Sequence, residues 1–299
     1  MADFKGLKPG DKLRVISPSG ALKEWERFNK GVEIWRSQGY EIEFTSGFDL
    51  NWGYLAGTDE NRRQQLLEAL KDESCRGILC ARGGFGSTRL LEGWNLDEIE
   101  IDSTVPKFLI GFSDITGLLW AFSNHSQIIG IHGPVLTTLA SEPDWSIQRL
   151  FRGVETGYFE TLQGESWQKG CVSGRLFPAN LTVATHLLRT SYQPDLTDTI
   201  LAFEDVNEEP YRLDRMLTYW RMVGAFQGVR GIALGRFSRC EVEGNSNRFS
   251  VEEVLRNRLE DLGIPIVSNL PFGHDGPNAI LPVGQQVHLD GDQGILSFN

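Results

Sequence analysis

Gly77-Ile78-Leu79-Cys80-Ala81-Arg82-Gly83-Gly84-Phe85-Gly86-Ser87 reads as a buried strand, a glycine-rich turn and the opening of a helix. The apolar run is short and bounded by turn residues, the pattern of a strand covered on both faces. Gly83, Gly84 and Gly86 let the backbone approach a ligand closely and aim N–H groups at an anion. No Gly-Lys-Ser/Thr ending follows, and the glycine spacing is not the dinucleotide one. The loop therefore reads as an oxyanion donor, a cradle for another anion such as phosphate, or a plain tight turn.

The same alternation extends outward on both sides. Leu13-Arg14-Val15-Ile16 is a strand ending at the loop signal Ser17-Pro18-Ser19-Gly20. Phe28, Val32 and Trp35 recur at helical spacing until Gly39, and Asp59 to Lys71 is a second helix. Pro106 to Phe112 is a strand, and Ile115 to Phe122 the helix after it. Strand and helix in turn predict an α/β fold with a mostly parallel sheet. Residues 142–168 lose this periodicity and read as a connection between an N-terminal domain (1–141) and a C-terminal α/β domain (169–299). In the second half the pattern predicts a helix from Leu181 to Leu188, a strand from Thr199 to Phe203 and a helix opening at Pro210 with Leu213, Leu217 and Trp220 buried. A strand at Gly231–Gly235, a helix capped by Ser250 and Glu253, and short strands around Asp290-Gly291-Asp292 complete it.

A chain of 299 residues with net charge −11 is a poor partner for nucleic acid or an anionic membrane. No apolar stretch is long enough to span a bilayer, and Met1–Lys5 lacks the basic-then-apolar pattern of a signal peptide. Cys75, Cys80, Cys171 and Cys240 show no Cys-x-x-Cys spacing and no nearby histidine pair, so the local pattern predicts no zinc site and a reducing, cytoplasmic setting. Cys75 and Cys80 read as small apolar packing residues.

Three separated segments end on groups that acyl transfer uses: Gly111-Phe112-Ser113-Asp114, Phe203-Glu204-Asp205-Val206-Asn207-Glu208 and Phe272-Gly273-His274-Asp275-Gly276. They suggest a Ser, Glu, His triad. Ser113 stands where a strand turns into a helix, with the N–H of Asp114 next to it; the same position suits a simple helix cap. Glu204 heads an acidic loop and suits either an orienting carboxylate or a solvated helix approach. Of the five histidines, His186 reads as packed core, His288 as structural and His125 as a helix end. His132 and His274 both suit a base, His274 being flanked by glycines that give access.

Taken together the segments resemble the LD-carboxypeptidase family, which includes muramoyl-tetrapeptide carboxypeptidases and microcin C7 self-immunity proteins. The resemblance rests on Leu55-Ala56-Gly57-Thr58-Asp59, Ala81 to Leu91, Gly111 to Thr116, His132-Gly133-Pro134, Glu204 to Glu208, Tyr211 to Leu217 and Phe272-Gly273-His274. It implies an N-terminal Rossmann-like domain, a smaller C-terminal α/β domain and a homodimer without cofactor or metal. It also implies a serine carboxypeptidase that removes terminal D-Ala from murein tetrapeptides in cytoplasmic cell-wall recycling. Ser113 then matches the nucleophile, His274 the base and Glu204 the orienting carboxylate. N–H groups at Gly84 and Asp114 would serve the oxyanion; Arg82 is a candidate for the substrate carboxylate by its nearness to the glycine loop alone. Phe177-Pro178-Ala179-Asn180 departs from a Gly-Gly-Asn run that many members carry: Asn180 is kept, and Pro178 removes a donor. The competing expectations are an immunity-type hydrolase of peptidyl-nucleotide antibiotics, with Trp145 or Trp167 stacking the base, and a non-catalytic muropeptide-binding protein.

Overall fold

In a computed structural model, residues 5–99, 101, 105–241 and 249–298 are described, apart from the side chain of Asp97. Met1–Phe4, on which the signal-peptide reading mostly rests, lie outside them. The first half runs β1 (Lys12–Ile16), α1 (Trp25–Ser37), β2 (Glu41–Phe44), α2 (Asp59–Lys71), β3 (Cys75–Cys80), α3 (Ser87–Leu91), β4 (Lys107–Gly111), α4 (Thr116–Ala121), β5 (Ile128–His132), α5 (Leu136–Leu139) and α6 (Asp144–Thr156). The second runs β6 (Leu162–Gln163), β7 (Glu165–Gln168), β8 (Cys171–Asn180), α7 (Leu181–Leu187), β9 (Thr199–Val206), α8 (Pro210–Met222), β10 (Gly231–Ser238) and α9 (Val251–Leu259). Then follow β11 (Ile266–Ser268), β12 (Leu281–Pro282), β13 (Gln286–Asp290) and β14 (Ile295–Phe298).

Two compact units result, residues 1–158 with 280–283, and residues 159–279 with 284–299. The first holds a six-stranded sheet ordered β12-β5-β4-β3-β1-β2, parallel except for β12. The order 2-1-3-4-5 is doubly wound, of the flavodoxin type within the broad Rossmann-like class, and its direction reverses between β1 and β3. Ligand sites in such sheets gather beyond the strand C-termini at that reversal. Those of β1, β3 and β4 lead into Ser17–Gly20, Arg82–Ser87 and Ser113.

Residues 142–168 do not form an irregular connection. Their first part is α6, which belongs to the first unit and buries Leu150, Phe151 and Val154. Phe151 meets Trp35 of α1 edge-on at 4.9 Å. Ser146 and Arg149 share the buried face, and these polar residues interrupt the apolar stripe that would have revealed the helix.

The second unit holds an eight-stranded sheet ordered β6-β14-β13-β8-β9-β10-β11-β7. Its centre, β8-β9-β10-β11, is parallel and its flanks antiparallel. Pro178 lies within β8 opposite Ala202 of β9, whereas the pairing of β8 with β13 stops at Arg175. A proline is tolerated where one side of its strand carries no ladder. The expected apolar faces are present: Leu213, Leu217 and Trp220 of α8 are fully buried, as are Cys75 and Cys80. His186 is not packed core; it lies on an exposed face of α7, its Nδ1 2.7 Å from the Thr182 carbonyl oxygen.

Candidate active site

Ser113 follows β4 after the single residue Phe112 and adopts φ +62°, a left-handed conformation that a non-glycine residue holds only when its surroundings enforce it. The result is the sharp strand-to-helix turn that exposes a hydroxyl. Two glycines make room for it. A Cβ on Gly111 would lie 2.9 Å from Ile115, and one on Gly83 would lie 3.1 Å from the Cβ and 3.2 Å from the Oγ of Ser113. The neighbouring Asp114 is buried, and its carboxylate is a tie rather than an exposed charge. Its Oδ2 accepts hydrogen bonds from Ser19 Oγ at 2.5 Å and the Ser87 N–H at 2.8 Å, and Ser87 Oγ donates to its carbonyl. One side chain thus joins the loops after β1, β3 and β4.

Arg62 reinforces the same loops from beneath. Fully buried, it donates through Nη1 to the carbonyls of Pro18 and Gly86 and through Nη2 to Asp59. Gly84 adopts φ +116° against Gly20, whose N–H donates to the Gly83 carbonyl at 3.2 Å. Arg82 lies at the start of this loop, where Nη1 donates to the Ala21 carbonyl at 2.8 Å and to Glu24 Oε2 at 3.1 Å.

In the second unit, Glu204 does not head a solvated loop. It sits inside β9, fully buried, and its Oε2 lies 2.6 Å from His274 Nδ1. Its Oε1 accepts from Asn180 Nδ2 at 3.2 Å. Asp205 is also buried. Its Oδ1 accepts from Asn180 Nδ2 at 3.0 Å, and its Oδ2 from the N–H and hydroxyl of Thr182, each at 2.8 Å. Burial and the neighbouring Glu204 charge push the Asp205 carboxyl up to about 6.

The loop carrying His274 is clamped by groups that sequence reasoning did not single out. Arg236 donates to the carbonyls of His274 (2.9 Å), Gly273 (3.0 Å) and Pro277. Ser238 Oγ donates to the His274 carbonyl at 2.6 Å, and Asn278 Oδ1 accepts the Gly273 N–H at 2.9 Å. Arg236 falls where the β9–β10 register shifts, between Leu234 and Phe237. Because β9, β10 and β11 run parallel, their C-termini deliver Glu204, Arg236 and the histidine loop to one end of the sheet.

The structure thus brings Ser113, Asp114, Gly84 and Arg82 into one set of loops in the first unit, and Glu204, Asn180 and His274 into one cluster in the second. His132, the competing histidine, is fully buried at the end of β5 with its ring edge-on to Phe112 at 5.9 Å. Trp145 is exposed on α6, and Trp167 carries the Arg256 guanidinium 4.1 Å above its ring. No helix among the described residues is long and apolar enough to cross a membrane.

Comparison with known proteins accounts for both halves. Residues 13–133 match the LD-carboxypeptidase N-terminal domain, and residues 173–289 the LD-carboxypeptidase C-terminal domain. A Synechocystis protein named as a carboxypeptidase is 56% identical over 98% of this chain and 95% of its own length. The murein tetrapeptide carboxypeptidase of Pseudomonas aeruginosa is 32% identical over 94% of each chain. The crystal structure of muramoyltetrapeptide carboxypeptidase from Oxalobacter formigenes superimposes with a TM-score of 0.84 at 26% identity, covering 95% of this chain and 97% of that one. The apo microcin C7 self-immunity protein shares the fold, with a TM-score of 0.87 at 22% identity over 99% and 97% of the two chains. The chain belongs to the LD-carboxypeptidase family of serine-type peptidases.

Proposed function

We propose that this protein is a murein tetrapeptide LD-carboxypeptidase that releases terminal D-Ala through Ser113, His274 and Glu204. The observation that carries this reading is the Glu204–His274 pair: a fully buried carboxylate 2.6 Å from one imidazole nitrogen. A carboxylate at Nδ1 places the neutral ring's proton there and leaves Nε2 as a base. In the proposed reaction Nε2 takes the Ser113 proton as the hydroxyl oxygen attacks the carbonyl between the L-centre and D-Ala. Glu204 then stabilises the imidazolium. N–H groups at Asp114 and Gly84 hold the oxyanion, a contribution of about 10²–10³ in kcat for one donor. D-Ala leaves with the proton from His274, and water cleaves the acyl-enzyme.

The strained backbone of Ser113 supports its role, because such conformations concentrate at functional sites. Arg82 is the cation proposed for the substrate carboxylate. Its ion pair with Glu24 is partly solvated, at 24% and 40% side-chain exposure, and pairs of this kind exchange at small cost. Relatives named for murein peptides support the substrate class. The family resemblance adds a cytoplasmic homodimer working in cell-wall recycling, for which sedimentation supplies the first check.

The test is D-Ala release from L-Ala-γ-D-Glu-diaminopimelate-D-Ala by the parent and by Ser113→Ala. Release by the parent with near-baseline release by the variant is the expected outcome. Equal release by both removes Ser113 as nucleophile. No release by either removes the murein substrate.

A further inference from the structure

The local cysteine spacing predicts no metal site, but strand pairing brings together residues that the sequence separates by more than a hundred positions. In the antiparallel pair β8–β13, Cys171 stands opposite Asp290 and Ser173 opposite His288. Side chains two apart on a strand share a face, so these four residues occupy one side of the sheet. One ligand atom each from Cys171, His288 and Asp290 lies within 4.8 Å of the others. Cys171 is exposed and His288 and Asp290 are half-buried, so the group opens to solvent.

We propose that Cys171, His288 and Asp290 form a surface site for a zinc-class divalent cation, with Asp292 or water as the fourth donor. Thiolate, imidazole and carboxylate together suit Zn²⁺ or Co²⁺ and disfavour Mg²⁺ or Ca²⁺, which take oxygen ligands. A tetrahedral zinc ion with bonds of about 2.0–2.3 Å holds its ligand atoms roughly 3.5 Å apart. Side-chain rotations on the order of 1 Å therefore close the set.

The carboxylates are already held in place. Asp290 Oδ1 accepts the N–H groups of Asp292 (3.0 Å) and Gln293 (2.9 Å) across the β13–β14 turn. Asp292 Oδ1 accepts the Gly170 N–H at 3.2 Å, and its Oδ2 lies 3.9 Å from Cys171 Sγ. Ser173 Oγ lies 3.2 Å from His288 Nδ1, an outer contact that orients the ring. A bound ion would join β8 to the β13–β14 turn.

The site is independent of peptide hydrolysis, and its test uses binding alone. Cobalt(II) is titrated into the tag-free, metal-stripped full chain while sulfur-to-cobalt charge-transfer absorption is followed. The expected result is a saturable band at one ion per chain, displaced by Zn²⁺ and unaffected by Mg²⁺. Cys171→Ala should abolish the band. His288→Ala should weaken binding by more than the ~10–100-fold that loss of an outer-shell partner costs. Cys75, Cys80 and Cys240 are buried and remain in both variants as internal controls. Alkylation of Cys171 gives a second readout: Zn²⁺ should protect the thiol in the parent and fail to do so in His288→Ala. Absence of a band in the parent, a band that survives Cys171→Ala, or equal protection in His288→Ala overturns the proposal.

Discussion

Replacing Glu204 by glutamine tests the histidine pair without changing its shape. Glu204 offers two acceptor oxygens, Oε1 to Asn180 Nδ2 at 3.2 Å and Oε2 to His274 Nδ1 at 2.6 Å. Glutamine offers one oxygen and one NH₂ group, so one of these neighbours must face a donor. Asn180 cannot easily turn to help. Its Oδ1 accepts the Val183 N–H at 3.1 Å as the cap of α7, and its Nδ2 also donates to Asp205 at 3.0 Å. Opposing two amide donors inside the protein costs about 1–3 kcal/mol. The glutamine therefore keeps its oxygen on Asn180 and turns its NH₂ to His274. The imidazole must then accept at Nδ1 and carry its proton on Nε2, which removes the base. In a serine–histidine–carboxylate triad the wrong tautomer costs on the order of 10⁴ in kcat. The assay is steady-state D-Ala release, with the His274 tautomer read from imidazole nitrogen shifts. We expect kcat to collapse, KM to stay near that of the parent, and the ring proton to move to Nε2. A Glu204→Gln variant within tenfold of the parent kcat, or one retaining the Nδ1 proton, refutes the reasoning.

Other expectations follow from single side chains. Asp205 holds its proton up to about pH 6 when folded, against an ordinary 3.8, so the folded state binds more protons through that window and its contribution to stability falls as pH rises from about 4 to 6. That contribution is worth about 3 kcal/mol, and urea titrations should show Asp205→Asn gaining on the parent across the same interval. Gly273 has φ +106°, and a Cβ there would lie 2.9 Å from that of Glu204; Gly273→Ala should cost about 2 kcal/mol or more and lower the urea midpoint. Gly83→Ala presses on the Ser113 side chain at 3.1–3.2 Å and should reduce kcat well before it reduces thermal stability. Thr58 Oγ1 accepts the Asn61 N–H at 3.2 Å to cap α2, so Thr58→Ala should destabilise by about 1 kcal/mol in thermal melts.

Elements with clean periodicity were legible from the residues: α2 over Asp59–Lys71, the strand before the glycine loop, and the Ser250–Glu253 cap of α9. β2 escaped because Glu41–Phe44 is four residues long, with exposed glutamate and phenylalanine at its ends. α6 escaped because Ser146 and Arg149 occupy its buried face, and Arg149 Nε reaches the Ile280 carbonyl at 3.3 Å. At the candidate site the turn at Ser113 was readable from Gly111 and the strand-to-helix switch, whereas preferring His274 to His132 needed the family resemblance. The supporting groups were not readable. Ser19 reaches Asp114 across 95 positions and Arg236 reaches the His274 loop across 38, and such pairings exist only once the sheets have formed.

The strand β12 has a consequence for how the chain is made. Leu281 and Pro282 pair with Ile131 and His132 along the edge of β5, although the rest of their unit ends at Tyr158. When synthesis has passed Tyr158 but not yet reached β12, the β5 edge of this sheet is therefore still bare. An uncovered edge is a template for pairing with a neighbouring chain. The nascent protein remains open to that error until more than a hundred further residues have emerged, and domains fold N-terminal first as they are synthesised. Truncation anywhere between α6 and β12 should yield a fragment that associates with itself, which sedimentation would read directly.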